Sequence, residues 1–364
     1  MISIIMRRRR FKPAVREAMS AALELGGNAS SVHGLGRKAR AAVEEARERV
    51  AAMVKIKPAH VFFTGGGTEA NNWAVRGWQG QVLASAIEHD SVLASVPGPY
   101  IPVTGDGIVN LEALEQMLAA SAAPALVSVM LVNNETGVIQ PIREVADIAR
   151  RHRATVHCDA VQAAGKIPLD FYDLGVDMLS LSAHKFGGPQ GVGALVLADK
   201  IPLEPLLRGG GQEKRRRAGT ENVAGIVGFG TAAALVPEEL ARQGQLRAWR
   251  DALEEGIRNY APDAIIAGGK AERVANTACV IMPGMKGETQ VMGFDLAGLA
   301  VSSGSACSSG KVASSHVLKA MGYDIMQSGS AMRLSLGWGS RAEDVDAAIE
   351  NWQKLHRRAR GQAA

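Results

Sequence analysis

Hydrophobic and polar positions along this chain follow two patterns: a helical periodicity and short apolar runs of strand length. Residues 36–54 place Ala and Val on one helical face and Arg and Glu on the other, which predicts an amphipathic surface helix. Strands that alternate with helical segments predict an α/β fold, with a mainly parallel sheet covered by helices on both faces. The apolar runs of strand length are residues 61–63, 126–132, 155–158, 178–181 and 192–197.

The last third of the chain predicts a smaller unit. A length of 364 residues favours about two domains. We place the boundary near residue 245, with residues 12–245 as a large domain and residues 1–11 and 246–364 as a small α+β domain that carries Cys307. A helical stretch, two strands and a final helix are predicted there in chain order: residues 237–260, 277–282, 333–336 and 341–360.

The charge of the chain is a weak argument for nucleic-acid binding. The formal net charge is +5, but the four arginines at residues 7–10 supply most of the excess, so no broad basic face is predicted. No apolar run reaches the length of about 18 residues that a membrane helix needs, and the first residues lack the order of a secretory signal. We expect a cytoplasmic protein that binds neither nucleic acid nor membrane.

The three cysteines predict neither a disulfide framework nor a metal site, because they form no CxxC pair. Cys158 and Cys279 lie in apolar strand patterns, and we interpret them as structural. Cys307 differs because it lies in the small, polar segment 302–310. This composition predicts an exposed loop with an accessible thiol.

Polar residues follow two of the predicted strands, where a parallel sheet opens a ligand crevice. Lys185 follows the apolar run MLSL, with Ser182 and His184 beside it. A lysine in such a place forms a Schiff base with pyridoxal phosphate, and its neighbours donate to a phosphate. The alternative is an ordinary surface lysine in a loop.

Asp159 and Gln162 follow the neighbouring run TVHC. A carboxylate there holds a pyridine nitrogen protonated, and the amide bonds a phenolic oxygen. The alternative is an aspartate that caps a helix. The turn that contains Gly67 and Thr68 offers backbone N–H groups at a predicted helix start, a natural phosphate site, although glycines serve any tight turn.

Together these residues make the chain resemble the class I cysteine desulfurases (NifS/IscS-like) among the fold-type I pyridoxal-phosphate enzymes. The similarity runs from about Pro13 to the last helix, and the combination of motifs is specific. The motifs are GNASSVH at 27–33, TGGGTEANN at 64–72, EH at 88–89, NNETG at 133–137, HCDAVQ at 157–162, SAHK at 182–185, GGGQEKRRRAGTEN at 209–222 and SGSACS at 303–308.

The resemblance implies a fold-type I transferase fold, pyridoxal 5′-phosphate as the cofactor and L-cysteine as the substrate. Lys185 would form the Schiff base and remove the α-proton, His89 would stack on the ring and serve in proton transfer, and Cys307 would carry sulfur as a persulfide. Thr220 would reach the phosphate of the partner subunit in a homodimer. Asn134 and Arg333 would bind the substrate, and the cofactor would contact Gly67, Thr68, Asp159, Gln162, Ser182, His184 and Lys185.

The sulfur acceptor stays open at this stage. An iron–sulfur scaffold for nitrogenase or general cluster assembly and an acceptor for tRNA thiolation would use the same catalytic core. Two other functions compete: a selenocysteine lyase or aminotransferase-like enzyme, and an impaired or non-catalytic relative that acts as a docking partner. No metal is expected as a resident cofactor.

The N-terminus departs from the family pattern. Family members begin with a segment like Leu-Asp-x-Asn-Ala-Thr-Thr-Pro that lines the substrate pocket, whereas residues 3–10 read SIIMRRRR. Codons for the family segment, read one base later, encode this sequence, and the frame returns at Lys12 and Pro13. We interpret residues 3–10 as a frameshift; the alternative is a genuine basic arm. Four buried arginines would impair the pocket.

Overall fold

The structure is a computed structural model that describes residues 12–121, 124–303 and 314–361. Ten strands in these ranges form two sheets, one of six strands in the order β1-β6-β5-β4-β3-β2 and one of four in the order β7-β8-β10-β9. The strands are β1 Val61–Thr64, β2 Gln81–Ala84, β3 Ala125–Ser128, β4 Thr155–Asp159, β5 Met178–Ser182, β6 Gly193–Leu197, β7 Ile265–Ile266, β8 Thr277–Ile281, β9 Ser302–Ser303 and β10 Ala331–Ser335.

The α-helices of the described ranges cover both sheets. Their bounds are α1 Pro13–Leu23, α2 Gly34–Met53, α3 Gly67–Arg76, α4 Asp90–Leu93, α5 Leu111–Ala119, α6 Ile142–Arg151, α7 Phe171–Leu174, α8 Val223–Ala234, α9 Val236–Ala241, α10 Gln243–Tyr260, α11 Gly287–Leu296, α12 His316–Ala320, α13 Ile325–Gly329 and α14 Ala342–Ala359. Of the helices in these ranges, none is both long enough and apolar enough to cross a membrane.

The six-stranded sheet is parallel through β2, β3, β4 and β5, and β6 runs antiparallel to both β5 and β1. The strands β1, β3, β5 and β6 are buried along their whole length, as expected for a sheet covered on both faces. Helices α1 and α2 pack on α8 to close one side. The prediction of a mainly parallel α/β fold is confirmed.

The four-stranded sheet is antiparallel and has its own apolar core. β8 pairs with both β7 and β10, and α10, α11 and α14 pack against this sheet or one another. The core contains Phe294 and Trp352 and begins along the chain at Leu246, in α10. The proposed domain boundary at residue 245 falls in the first turn of that helix. The division into two domains stays a prediction.

Several element bounds differ from those predicted. The strand predicted over 126–132 ends at Ser128, and the helical stretch 237–260 divides into α9 and α10. Neither β2, which begins with the exposed Gln81 and the half-buried Val82, nor α8, which is mostly apolar, was predicted from the sequence. The consequence for function lies in β4 and β5: their carboxyl ends meet at one edge of the sheet.

Candidate active site

A cavity of about 690 Å³ opens at the carboxyl ends of β4 and β5. The turn before α3, the start of α4 and the segment after β3 complete its walls. Most of the predicted site residues lie around this cavity, which confirms that strand ends distant in sequence meet at one place. The predicted residues that line it are Gly67, Thr68, His89, Asn134, Asp159, Gln162, Ser182, His184 and Lys185.

Asp159 is the buried carboxylate of this cavity, with 4% of its surface exposed. Its Oδ2 accepts a hydrogen bond from Asn71 Nδ2 at 2.6 Å, and its Oδ1 accepts one from the Val161 backbone N–H at 2.8 Å. An ionised carboxylate is an acceptor with about four lone-pair sites, so these two bonds fix its orientation and leave capacity for a further donor.

A chain of hydrogen bonds connects Asp159 to His89. Asn71 Nδ2 donates to Ser91 Oγ at 2.9 Å as well as to Asp159, and Ser91 Oγ lies 2.8 Å from His89 Nδ1. His89 caps α4, and its Nδ1 also accepts from the Ser91 backbone N–H at 3.0 Å. Because Nδ1 is an acceptor here, the proton of the neutral ring lies on Nε2.

Asn71 and Ser91 were not predicted as site residues, although Asn71 lies within a quoted motif. The signal for Asn71 was its position one turn after Gly67 at the start of α3, which puts it on the face above the cavity. Ser91 gave the weaker signal of a serine two residues after a histidine. Their contacts with Asp159 and His89 join parts of the chain that sequence periodicity does not relate.

Lys185 ends a short 3-10 turn, Ala183–Lys185, that follows β5 directly. Ala183 is fully buried and packs against Gly188, where an added Cβ would lie 2.8 Å from the Ala183 Cβ. Ser182 Oγ and His184 Nδ1 lie 2.9 Å apart. The close approach of Gly188 therefore holds the turn, and with it Lys185, at the end of the strand.

The turn before α3 forms one wall of the cavity. Gly66 has a φ of +149°, which L side chains rarely adopt, and a Cβ at Gly67 would lie 2.7 Å from Val161 Cγ2. Glycine at these positions allows the backbone to lie close to β4. The N-terminus of α3, a helix of ten residues, then presents N–H groups to the cavity beside the exposed side chain of Thr68.

Two ion pairs hold the neighbouring segment that contains Thr220. Arg217 pairs with Glu69 at 2.9 Å, and Glu69 also accepts from the Gly65 backbone N–H at 2.6 Å. Earlier in the same segment, Glu213 is buried and accepts hydrogen bonds from both terminal guanidinium nitrogens of Arg47 at 2.8 Å. Thr220 itself is exposed and does not line the cavity of its own chain.

Two titratable groups lie buried behind the cavity. Glu88 accepts from the Met130 backbone N–H at 2.7 Å, and burial, followed by the nearby charge of Asp159, raises the pKa of Glu88 well above its usual value. His157 lies 2.9 Å from Ser128 Oγ through Nδ1 and 2.8 Å from Ser180 Oγ through Nε2, which connects three strands. Burial lowers the pKa of His157 to about 3. Burial therefore disfavours the charged form of both groups, and His157 is neutral at neutral pH.

The smaller sheet contributes Arg333, from β10, to the rim of the site. Arg333 Nη1 donates to the Asn134 backbone carbonyl. Beside it, Ser315 Oγ donates to Glu135 Oε2 at 2.5 Å. Arg333 thus reaches the residue that was predicted to assist it in substrate binding, although it does not line the cavity of about 690 Å³.

Cys307 lies outside the described residues. The described residues on either side of it are attached near the site: Ser302 of β9 pairs with Arg333, and Ser315 is bonded to Glu135. Cys158 and Cys279 are fully buried free thiols, and burial raises the pKa of Cys158 well above its usual value and that of Cys279 to about 12. Neither is poised for nucleophilic chemistry.

No group of three or more His, Cys, Asp or Glu side chains in the described ranges is arranged to hold a metal ion. Residues 3–10, which carry the frameshift hypothesis, lie outside these ranges. Two cavity-lining amides each have a buried oxygen, Asn71 Oδ1 and Asn134 Oδ1, without a hydrogen-bond partner among the described residues. Buried polar atoms are normally paired, so the cavity has the character of a binding site.

Comparison with known proteins agrees with this geometry. The profile of the class-V aminotransferase family matches residues 10–348. An IscS-like cysteine desulfurase from Mycobacterium tuberculosis is 41% identical over 359 residues, which cover 93% of this chain and 91% of that protein. A cysteine desulfurase from Cereibacter sphaeroides is 42% identical over 358 residues, which cover 94% of this chain and 92% of that protein.

Solved structures extend the similarity to three dimensions. The crystal structure of a NifS-like protein from Rickettsia africae superposes with a TM-score of 0.90 at 32% identity, and the alignment covers 98% of this chain and 99% of that chain. Its agreement spans both sheets of the fold. The chain therefore belongs to the class-V aminotransferase family and, within it, to the class I, NifS/IscS-like cysteine desulfurases.

Proposed function

We propose that this chain uses pyridoxal 5′-phosphate to convert L-cysteine to L-alanine and carries the released sulfur as a persulfide on Cys307. The observation that carries the proposal is the convergence of Lys185, Asp159 and His89 on one cavity, with Asn71 and Ser91 bridging the last two. An amine, a buried carboxylate and an oriented imidazole are the set that pyridoxal-phosphate chemistry requires.

The donor set of the cavity fits this cofactor. Asp159 can accept a further hydrogen bond from a pyridinium N–H, and Gln162 lines the same cavity and can donate to the phenolic oxygen. Lys185 is the point of covalent attachment, and bound pyridoxal phosphate supplies an electron sink for negative charge at the substrate α-carbon. The residues proposed to hold the phosphate are Gly67, Thr68, Ser182 and His184, with Thr220 of the partner subunit.

The residues of the chain then divide the work. Lys185, as a neutral amine, accepts the α-proton of cysteine, while Arg333 and Asn134 hold the substrate carboxylate. His89 Nε2–H donates toward the bound substrate. The Cys307 thiolate attacks the substrate sulfur: an S–S bond forms, the C–S bond breaks, and its electron pair takes up a proton at carbon. Cysteine and one thiol thereby give alanine and one persulfide.

The decisive experiment is to incubate the purified protein with L-cysteine and a thiol reductant and to measure alanine and sulfide. We expect equal amounts of both products from the unmutated chain and a loss of at least about 100-fold in Cys307→Ser, with cofactor absorbance retained. Cys279→Ala is the matched control, because that thiol is buried away from the cavity. No product from the unmutated chain would refute the proposal.

The same assay separates the competing functions. An aminotransferase-like enzyme would keep its amino transfer in Cys307→Ser, and a selenocysteine lyase would release product from selenocysteine but not from cysteine. A docking partner without catalysis would bind the cofactor and respond to cysteine spectroscopically without releasing sulfide. Resequencing the 5′ end of the gene tests the frameshift: an uninterrupted in-frame reading of residues 3–10 as SIIMRRRR would contradict it, and a chain with these arginines should turn over poorly.

We further propose a homodimer with shared sites. Thr220 is exposed, yet two ion pairs, Arg217 with Glu69 and Arg47 with Glu213, fix its segment. A fixed and exposed hydroxyl that can donate a hydrogen bond to the cofactor phosphate suits a role in the partner's cavity. The assembly acts in the cytoplasm and passes sulfur to an iron–sulfur scaffold, for nitrogenase or general clusters, or to another acceptor protein. Sedimentation at micromolar concentration tests the dimer, and a monomer would contradict it.

A further inference from the structure

A second lysine, Lys166, lies next to the proposed attachment lysine. It follows the turn after β4, and it lines a cavity of about 270 Å³ together with Lys185 and His184. Gly165 has a φ of +75°, and a Cβ there would lie 2.7 Å from the Cβ of Phe186. Only glycine allows this close packing of the turn against the residue after Lys185. The backbone therefore holds the two lysines near each other.

Lys166 has a specific contact with a predicted cofactor ligand. Its Nζ donates to Gln162 Oε1 at 2.6 Å. An ammonium group has no acceptor, so the Gln162 atom that it contacts must be the amide oxygen. The NH₂ end of Gln162 is then left for an acceptor elsewhere in the cavity that this residue shares with Asp159. Lys166 thereby decides which end of the amide serves as a donor.

The charges around Lys166 are mostly of its own sign. Burial, followed by repulsion from Lys185 and Arg333, lowers the pKa of Lys166 to about 7. Within the described residues it forms no ion pair, since Glu239, the carboxylate on the same cavity, is paired with Lys12. Repulsion between like charges is mutual. The other titratable group that lines this cavity is His184.

We infer that Lys166 is a positioning residue: it directs the NH₂ group of Gln162 toward the phenolic oxygen of the cofactor and favours the neutral amine of Lys185 that must react with it. The inference rests on the proposed function, because it assumes that Lys185 is the attachment point. It gives a role to Lys166, which the family resemblance did not single out, and to the cavity of about 270 Å³ beside the main one.

The charge effect is tested by the rate at which cofactor-free protein captures pyridoxal phosphate, measured against pH by stopped-flow absorbance. Loss of the neighbouring charge in Lys166→Met should move the pH midpoint of the rate upward by about one unit, so that capture below the midpoint is about tenfold slower. Lys166→Arg keeps the charge at every pH and should keep the midpoint at or below that of the wild type. Lys354→Met, on the exposed face of α14, is the matched control.

An unchanged midpoint in Lys166→Met would overturn the inference. If that variant does not fold, Lys166→Gln takes its place with the same criterion. Borohydride reduction and peptide mass mapping of the wild type keep the two proposals apart. A label on Lys185 with an unshifted midpoint removes the role of Lys166 alone, whereas absence of the label from Lys185 removes the proposed function and this inference together.

The amide effect has its own readout in equilibrium cofactor binding. Gln162→Leu and Lys166→Met should each raise the dissociation constant for pyridoxal phosphate by about threefold to tenfold, and the double variant should raise it little further, because both act through one hydrogen bond. Multiplication of the two effects in the double variant would show independent contributions and would contradict the positioning of Gln162 by Lys166.

Discussion

The two sheets of this protein differ in how they handle polar groups. The six-stranded sheet ends in Asp159 and Ser182 and carries buried His157 in its interior, bonded to serines on both neighbouring strands. In the described strands of the four-stranded sheet, Arg333 is the only charged residue. The first sheet holds its polar groups by hydrogen bonds, His157 to serines of the neighbouring strands and Asp159 to Asn71 of α3. The second sheet is mostly apolar and contributes one cation, Arg333, to the rim of the cavity.

Because of this difference, substitutions in the two sheets should have different effects on stability and activity. A polar group that loses its partner in the six-stranded sheet leaves another buried group unsatisfied, which is costly in a low-dielectric interior. A change in the four-stranded sheet mainly alters packing, except at Arg333. The sheet that builds the cavity should therefore show large, pH-dependent effects, and the other should show modest ones.

The largest effect is expected from Asp159→Asn. The amide cannot hold a protonated pyridine nitrogen by charge, and its NH₂ group opposes the Asn71 donor. We expect kcat/KM for cysteine to fall on the order of 10³-fold, or about 4 kcal/mol. Steady-state alanine formation measures this, with Asp170→Asn, at the half-buried N-cap of α7, as the control. A fall below tenfold would show that the carboxylate does not serve the reaction.

The next effect is a pH dependence of stability from His157. Burial lowers its pKa from 6.5 to about 3, so between these pH values the imidazole is protonated in the unfolded chain and neutral in the folded chain. Stability is therefore lost as pH falls below 6.5. His157→Gln cannot titrate and should remove roughly 2.5 kcal/mol of the loss between pH 6 and pH 4 in urea unfolding. His152→Gln, at the end of α6, is the control; identical slopes for His157→Gln and wild type would contradict the assignment.

Arg333→Lys tests the one cation of the smaller sheet. A lysine keeps the charge but loses the planar fork that suits a carboxylate. We expect KM for cysteine to rise about 30-fold, or about 2 kcal/mol, with a smaller change in kcat. Arg273→Lys, which disturbs the buried pair with Glu254 in the same unit, controls for folding. A rise in KM as large in Arg273→Lys would mean that Arg333 acts through stability alone.

The smallest effects should come from the two buried cysteines, one in each sheet. Cys158→Ala and Cys279→Ala each remove a packed sulfur and should cost about 1 kcal/mol of unfolding free energy, with sulfide release nearly unchanged. Urea unfolding and the cysteine assay measure the pair. A larger loss of activity in Cys158→Ala would sharpen the contrast between the sheets, since Cys158 adjoins Asp159 in β4.

The sequence predicted those parts of the site that follow from strand ends. Asp159 and Lys185 follow closely after two apolar runs, and parallel strands bring such ends to one edge. The direction of β6 was not predictable, because an apolar run carries no sign of orientation. Asn71 bonds to Asp159 88 residues away, and Arg333 bonds to the carbonyl of Asn134 199 residues away. Contacts of this range depend on packing that periodicity does not encode.

The described residues on either side of Cys307 are attached to the same parts of the fold that hold the substrate-binding candidates. Ser302 pairs with Arg333 in β10, and Ser315 Oγ donates to Glu135, the residue after Asn134. A substitution near either attachment would therefore disturb two things together, the rim of the cavity and the anchoring of the chain that carries the thiol. A genetic screen for lost sulfur transfer should for this reason recover changes around β10 and Glu135 as well as changes at Cys307.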